Sequence, residues 1–363
     1  MESAAENPAG RGWEVPAEHA ARFSWEYDSG RSRLLSLYQK GKDKQWDATE
    51  RIDWSQTIDP GNPLGVPDEL LPIYGSRTWD RIGRDEQELR RARQHFAGWQ
   101  FSQFLHGEQG ALITTARIVE SVPDLDSKFY AATQTMDEAR HVETFTKLLD
   151  QVGVTYPINP QLQELLNQTL RDSRWDMAYL GMQVLIEGLA LAAFGTLREL
   201  CQTQLPKQVL AFVMQDEARH VAFGRLALKD AYADLTAAER ADREEFVVEA
   251  CYLMRDRLRQ REMWEALDYD VADCMEYAEN SPAWQFYRNN LFTRIVPCIR
   301  DIGLWGDTVQ KVYADMGVLD YAGVNIEGLM AQDEVIAESL DTRQADGARV
   351  AEVEETIAVG VSV

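Results

Sequence analysis

The chain is short of cysteine, of basic charge and of glycine-rich nucleotide signatures, and each shortage removes a class of function. Its four cysteines, Cys201, Cys251, Cys274 and Cys298, are widely spaced and form no C-x-x-C pair, so neither a zinc knuckle nor a disulfide scaffold is indicated and a reducing cytoplasm suits them. No G-x-G-x-x-G and no cysteine cluster offers an internal electron carrier. With 37 basic against 60 acidic residues the net charge is -23, a field that repels phosphate backbones and anionic membrane surfaces and makes nucleic acid a poor partner. The start, Met-Glu-Ser-Ala-Ala-Glu, lacks the basic and apolar regions of a secretory signal. The long apolar run from Met177 to Gly195 has Glu187 at its middle and is flanked by Asp176 and Arg198. A lone carboxylate in lipid is costly, so the run is expected to be the buried helix of a bundle and not a membrane span.

What is present is helical patterning on a length, 363 residues, that can bury a sizeable core. Residues 1–84 mix Pro, Gly and charge around a short helical stretch at Ser32–Gly41, with Trp46, Trp54 and Trp79 as anchors, and are expected to form an arm packed on a domain. Four helices are predicted over 85–235: from Asp85 to the turn at Pro123, from about Asp126 to Asp150, from Pro160 through the apolar run to Leu200, and from near Pro206 to Tyr232. Thr236 with Glu239 predicts a capping box and a fifth helix, and further helices of the same domain are expected up to about residue 340. The tail over 341–363 is expected to be mobile. The fold class is therefore all-α, a four-helix bundle with an N-terminal arm and C-terminal helices.

Two segments of these helices repeat: M-D-E-A-R-H-V-E at 136–143 and Q-D-E-A-R-H-V-A at 215–222. Three-residue spacing puts Glu138 with His141, and Glu217 with His220, on one face of each helix. Each half then needs a bridging acid. Glu108 precedes Glu138 by 30 residues and Glu187 precedes Glu217 by the same 30. The midpoints, Pro123 and Gln202, fall in the predicted turns, so the paired glutamates stand level in antiparallel hairpins. Four core carboxylates without a cation would be heavily penalised, and two divalent ions remove the conflict. Mixed oxygen and imidazole donors favour iron or manganese. Asp137 with Arg140 and Asp216 with Arg219 are expected to support the histidines, a carboxylate taking the imidazole's other N–H and an arginine fixing the carboxylate.

At these residues the sequence resembles the ferritin-like di-iron carboxylate superfamily, and the repeated D-E-x-R-H resembles the motif of the bacterial multicomponent monooxygenase hydroxylases. The resemblance implies a ferritin-like bundle. Glu108, Glu138 and His141 would hold one metal and Glu187, Glu217 and His220 the other, with some carboxylates bridging. It implies an oxygen-activating oxidase or monooxygenase with two irons, or a manganese–iron pair, and dioxygen as co-substrate. The substrate would be a small, largely apolar organic molecule open to hydroxylation, desaturation, N-oxygenation or oxidative cleavage. Electrons would come from an external reductase or ferredoxin, and a homodimer is compatible.

The resemblance is not uniform. Phe145 stands where ribonucleotide reductase small subunits usually carry a radical tyrosine, Val213 where the arylamine N-oxygenases carry a third histidine, and Leu191 where hydroxylases and desaturases often carry threonine. The alternatives are a radical-generating or ligand-binding oxidase related to those small subunits and an iron-storage or metal-binding protein. Gly107, Gly110, Gly181 and Gly188 either open space beside the metals or serve close helix packing. Phe104, Leu112, Met136, Phe145, Met182, Ile186, Leu191 and Phe212 are candidate cavity walls.

Overall fold

The computed structural model describes residues 21–335 apart from 26, 28, 29 and 334, so His19 and the tail from Asp341 lie outside the described residues. Every regular element among the described residues is helical. Helix α1 spans Ser32–Asp43. Two long hairpins follow, α2 (Glu86–Ser121) with α3 (Leu125–Val152), and α5 (Trp175–Leu200) with α6 (Gln204–Ala231); α4 (Pro160–Arg171) lies between them in sequence.

Local chemistry sets the ends. The Asp85 carboxylate accepts from the Gln87 and Glu88 amides and starts α2; Asp124 accepts from the Ser127 amide and starts α3. Gly153 ends α3 with φ 79°, a left-handed conformation that glycine adopts without a Cβ penalty. Asn159 caps α4 and Pro160 occupies its first turn, where a missing N–H costs nothing. The predicted capping box is present: Thr236 accepts from the Glu239 amide, the Glu239 carboxylate reaches back, and α7 runs over Ala237–Asp256.

The helix predicted without interruption from Pro160 to Leu200 is broken instead. Asp172 accepts from the backbone amide and the guanidinium of Arg174, a local bond that competes with the helical one and lets the chain turn between α4 and α5. Within α5, Leu180–Ile186 is a π-helical segment that ends immediately before Glu187. Such segments commonly sit at functional sites because they re-aim the residues that follow. The apolar stretch of α5 is 83% buried inside the protein, which makes it the bundle's central helix.

The glycines divide. A Cβ on Gly110 would meet Leu166 at 2.5 Å, one on Gly181 would meet Thr169 at 2.3 Å, and both thereby admit α4 against the bundle. A Cβ on Gly224 would lie 2.4 Å from that of Gln183, so this glycine lets α6 approach the π segment. Gly107 faces open space, with nothing within 4 Å of its ideal Cβ. Gly224→Ala is therefore expected to destabilise by about 1–3 kcal/mol through overpacking. Gly107→Ala should stabilise by up to about 1 kcal/mol through helix propensity. Denaturant unfolding of the two variants checks the pair, and equal effects would contradict this account.

Candidate metal centre

The α2–α3 and α5–α6 hairpins turn at 122–124 and 201–203, and Glu108, Glu138, Glu187 and Glu217 are brought level inside the bundle. All four are at most 5% exposed, and His141 and His220 are fully buried. Nδ1 of His141 lies 3.1 Å from Glu108, 3.4 Å from Glu138 and 3.2 Å from Glu217. Nδ1 of His220 lies 3.1 Å from Glu138 and 3.5 Å from Glu217. Two ligand groups result, Glu108–Glu138–His141–Glu217 and Glu138–Glu187–His220, with the donor atoms of each within 4.8 Å of one another.

Glu138 belongs to both groups, through Oε2 toward His141 and Oε1 toward His220. Glu217 approaches both imidazoles through Oε1. Glu138 and Glu217 thus stand nearest both imidazoles, with Glu108 and Glu187 at the two ends, so with two ions bound the Glu-x-x-His glutamates would be the ones placed to bridge, beside the bridging expected of Glu108 and Glu187 from the sequence pattern. The reason is height along the rods: a residue one turn from each histidine on a central face stands between the two imidazoles.

A metal pair fits what the side chains leave open. Glu138 Oε2, Glu187 Oε2, both Glu217 oxygens and His220 Nδ1 are buried without a hydrogen-bond partner. Such atoms are expensive unless something coordinates them. Burial, then repulsion from Glu217, pushes the Glu108 and Glu187 carboxyls well above the usual carboxylate range. For Glu138 burial acts in the same direction but is outweighed by His220 and His141, and its carboxyl is pulled down. Burial alone would lower the two imidazoles; Glu108 and Asp216 around His141, and Glu138 and Glu217 around His220, instead hold both well above the usual histidine value. Protons therefore occupy the metal-free cluster where cations would otherwise balance the charge.

The far side of each ring is tied crosswise. His141 Nε2 lies 3.1 Å from Asp216, and His220 Nε2 lies 3.2 Å from Asp137, so each imidazole donates to the aspartate of the opposite repeat and turns Nδ1 inward. Arg140 bridges Asp137 and Asp216, and Arg219 donates to Asp216. Burial opposes ionisation of Asp216, but Arg219 and His141 outweigh it and keep its carboxyl well below the usual range.

Some members of the network lie outside the repeats. Gln45 donates to Asp137 and accepts from Arg140 at 2.7 Å each, and the Trp46 indole donates to Asp216 at 2.8 Å under the Arg140 guanidinium. Gln134 donates to Glu138 and Glu187 at 2.9 and 2.8 Å. Gln134 could have been found from its position one turn before Glu138; nothing local marked Gln45. Near the site but outside it, His106 contacts the Tyr156 carbonyl at 2.9 Å, and Glu143 pairs with Lys147 at the surface.

On the other side the centre opens into a small cavity of about 40 Å³. Glu108, Glu187 and Glu217 form one wall, and Phe104, Gly107, Met182, Ile186 and Phe194 supply much of the rest. Of the predicted wall residues, Leu112, Met136, Phe145, Leu191 and Phe212 are elsewhere: Met136 is 62% exposed, Phe145 packs in the core against Phe104 and Phe194, and Phe212 packs on Trp46. Gly107 borders this cavity, so its missing side chain serves space, unlike Gly110 and Gly181.

Residues 29–303 match the family model described as p-aminobenzoate N-oxygenase AurF. Among solved structures the chain is similar to R2-like ligand-binding oxidase variants with a Mn/Fe cofactor. One, reconstituted anaerobically, has 16% identity, coverage of 75% of this chain and 94% of that one, and a TM-score of 0.47. Another, reconstituted aerobically, has 16% identity, the same coverage and a TM-score of 0.46. Comparison with curated proteins returned no match. The match to an N-oxygenase family holds although Val213, fully buried, stands where the sequence comparison placed a third histidine. That absence marks a difference within the family and does not set the chain apart from it.

Two outcomes follow for metal loading. Glu138→Ala should lose both metals and Glu108→Ala chiefly one, read by elemental analysis after gel filtration; equal loss from both would contradict the bridging assignment. Loading at neutral pH should also release protons, because the raised imidazoles and carboxyls must give them up to bind, so affinity rises with pH. Calorimetry in buffers of different ionisation enthalpy measures the release, and pH-independent binding without it would contradict the charge pattern.

Proposed function

The chain belongs to the p-aminobenzoate N-oxygenase AurF family of oxygen-dependent oxidoreductases, and from that premise we propose that it uses a di-iron centre held by Glu108, Glu138, His141, Glu187, Glu217 and His220 to oxygenate the nitrogen of a small aryl amine. The observation that carries this reading is the cavity that meets three of the glutamates directly while its other walls are mostly apolar. When bound, the reduced metal pair supplies activation of dioxygen. The residues do the rest: Asp137 and Asp216 fix the imidazoles, Arg140 and Arg219 fix the aspartates, and Phe104, Met182, Ile186 and Phe194 exclude water from the substrate. One oxygen atom goes to nitrogen and the other leaves as water. The two electrons come from a separate reductase or ferredoxin, since the chain has no carrier motif, and the four free buried cysteines suit a reducing compartment.

The test is turnover of protein loaded anaerobically with ferrous iron, then supplied with a reductant, labelled dioxygen and an aryl amine panel. We expect a hydroxylamine or nitro product carrying the label, and at least a hundredfold loss in Glu217→Ala. Oxygen consumption with many irons deposited per chain, or a stable radical without organic product, would instead favour the storage or radical alternatives.

A further inference from the structure

The cavity beside the glutamates, at about 40 Å³, is smaller than its proposed guest. An apolar cavity of about 150 Å³ is what holds one benzene ring, so this one admits dioxygen or water but no aryl amine until a wall gives way. Most of its walls are fixed. Phe104 and Phe194 meet edge to face and both pack on Phe145 in the core, while Met182, Ile186 and Leu258 are buried. Gly107 and Ala190 are partly exposed but have no side chain that could swing aside. Tyr287 is the one large wall residue that is not buried.

Tyr287 also lines a second cavity, of about 350 Å³, and is the residue that the two share. Glu69, Pro282 and Ala283 lie exposed on the rim of this outer cavity and open it to solvent, while Phe96, Leu197 and Trp284 are buried at its base. Glu69 is its one charged wall residue, and Tyr74, Phe96, Tyr277, Trp284 and Tyr287 line it with aromatic rings. Such walls favour a flat, neutral guest that can stack.

Tyr287 is held lightly. Its ring stacks on Trp284 with centroids 4.6 Å apart and planes 18° from parallel, and its hydroxyl interacts with Gln100 on the inner side. The helix that carries it, Pro282–Asn290, has Trp284 as its one buried residue and begins without a side-chain cap, after the extended Ser281 that separates it from Val271–Asn280. Trp284 is anchored, its indole donating to the Leu258 carbonyl at 3.3 Å. The helix is thus pinned at Trp284, and the tyrosine ring one turn on can move without disturbing the core.

We propose that the outer cavity is an entry site where a flat, neutral aromatic molecule binds first, and that Tyr287 is the gate between it and the metal centre, its side chain turning aside to join the two spaces. The assignment rests on the oxygenase reading for the identity of the guest, an aryl amine. Tyr287 selects by size: a diatomic or triatomic molecule has the partly exposed side at Gly107 and Ala190, whereas a ring needs the gate open.

Ligand entry, read without turnover, tests this. Oxidised iron-loaded protein is mixed in a stopped flow with azide or with phenol, each of which gives a charge-transfer band on binding ferric iron. The azide rate should rise linearly with concentration, and the phenol rate should level off at the rate of gate opening. Tyr287→Ala should raise that ceiling by roughly tenfold or more and leave azide unchanged. Ala283→Trp, which fills the outer cavity from its exposed rim, should slow phenol by a similar factor and alter neither azide binding nor metal content. Phenol entry unaltered by Tyr287→Ala, azide and phenol accelerated alike, or no phenol band where azide binds, overturns the proposal. Should Tyr287→Ala fail to fold, Ala283→Trp decides: slowed phenol with unchanged azide supports the entry site, and unchanged phenol overturns it. Gated phenol entry in a protein that yields no oxygenated product sinks the oxygenase reading alone, while oxygenation with phenol entry indifferent to both substitutions sinks the gate alone.

Discussion

Four glutamates forced to one depth of a helical core are the constraint on which the rest of the structure depends. Burial and mutual repulsion in a low-dielectric interior penalise their ionised forms heavily. The charge is relieved either by protons, on His141 and His220 and on the Glu108 and Glu187 carboxyls, or by divalent ions. The arrangement around the site keeps the second option open. Each histidine is locked from behind by an aspartate of the opposite repeat, so Nδ1 points inward in either state. That crosswise tie also couples α3 to α6, so the contacts that orient the imidazoles also help hold the two hairpins together.

Much of this was legible because it depends on short-range periodicity. The Glu-x-x-His pairs declare a helix face, the equal 30-residue separations declare hairpins of equal length, and the helix starts at Asp85 and Pro160 and the capping box at Thr236 rest on local chemistry that is the same anywhere it occurs. What escaped depends on contacts between distant segments or on small energy differences. The break at Asp172 is a competition between a local side-chain bond and one helical turn, and no periodic pattern records its outcome. The π segment before Glu187 lies where Gly224 lets α6 come close to Gln183, a contact between distant segments. Gln45 and Trp46 reach their aspartates across 92 and 170 residues, and Arg257 meets the cavity from a helix added after the bundle.

The two sides of the centre differ in kind. Behind the histidines, polar groups are matched: Asp137 and Asp216 balance Arg140 and Arg219, with Gln45 and Trp46 completing their hydrogen bonds. Apart from the Nε atoms of Arg140 and Arg219, which have no partner, these groups are paired, and displacing them would leave further buried groups unpaired. Toward the cavity the walls are largely apolar, and Gly107 contributes only absence. Rigidity therefore lies where ligand orientation is needed, and space where a reactant must enter. The two aspects come from opposite faces of the same helices, which is why one bundle supplies both.

Val213 bears on how much of the coordination sphere that cavity can use. Four carboxylates offer eight oxygens and two imidazoles add two nitrogens, ten donors in all. Two six-coordinate ions require about twelve. Even with every oxygen engaged, about two positions remain, and the carboxylates that meet the cavity are Glu108, Glu187 and Glu217. A histidine at 213, one turn before Glu217, would compete for one of those positions; valine cannot, being fully buried and without a donor. With two ions bound, any open positions would be left to small molecules entering from the apolar side, and valine at 213 would add no donor to compete with them.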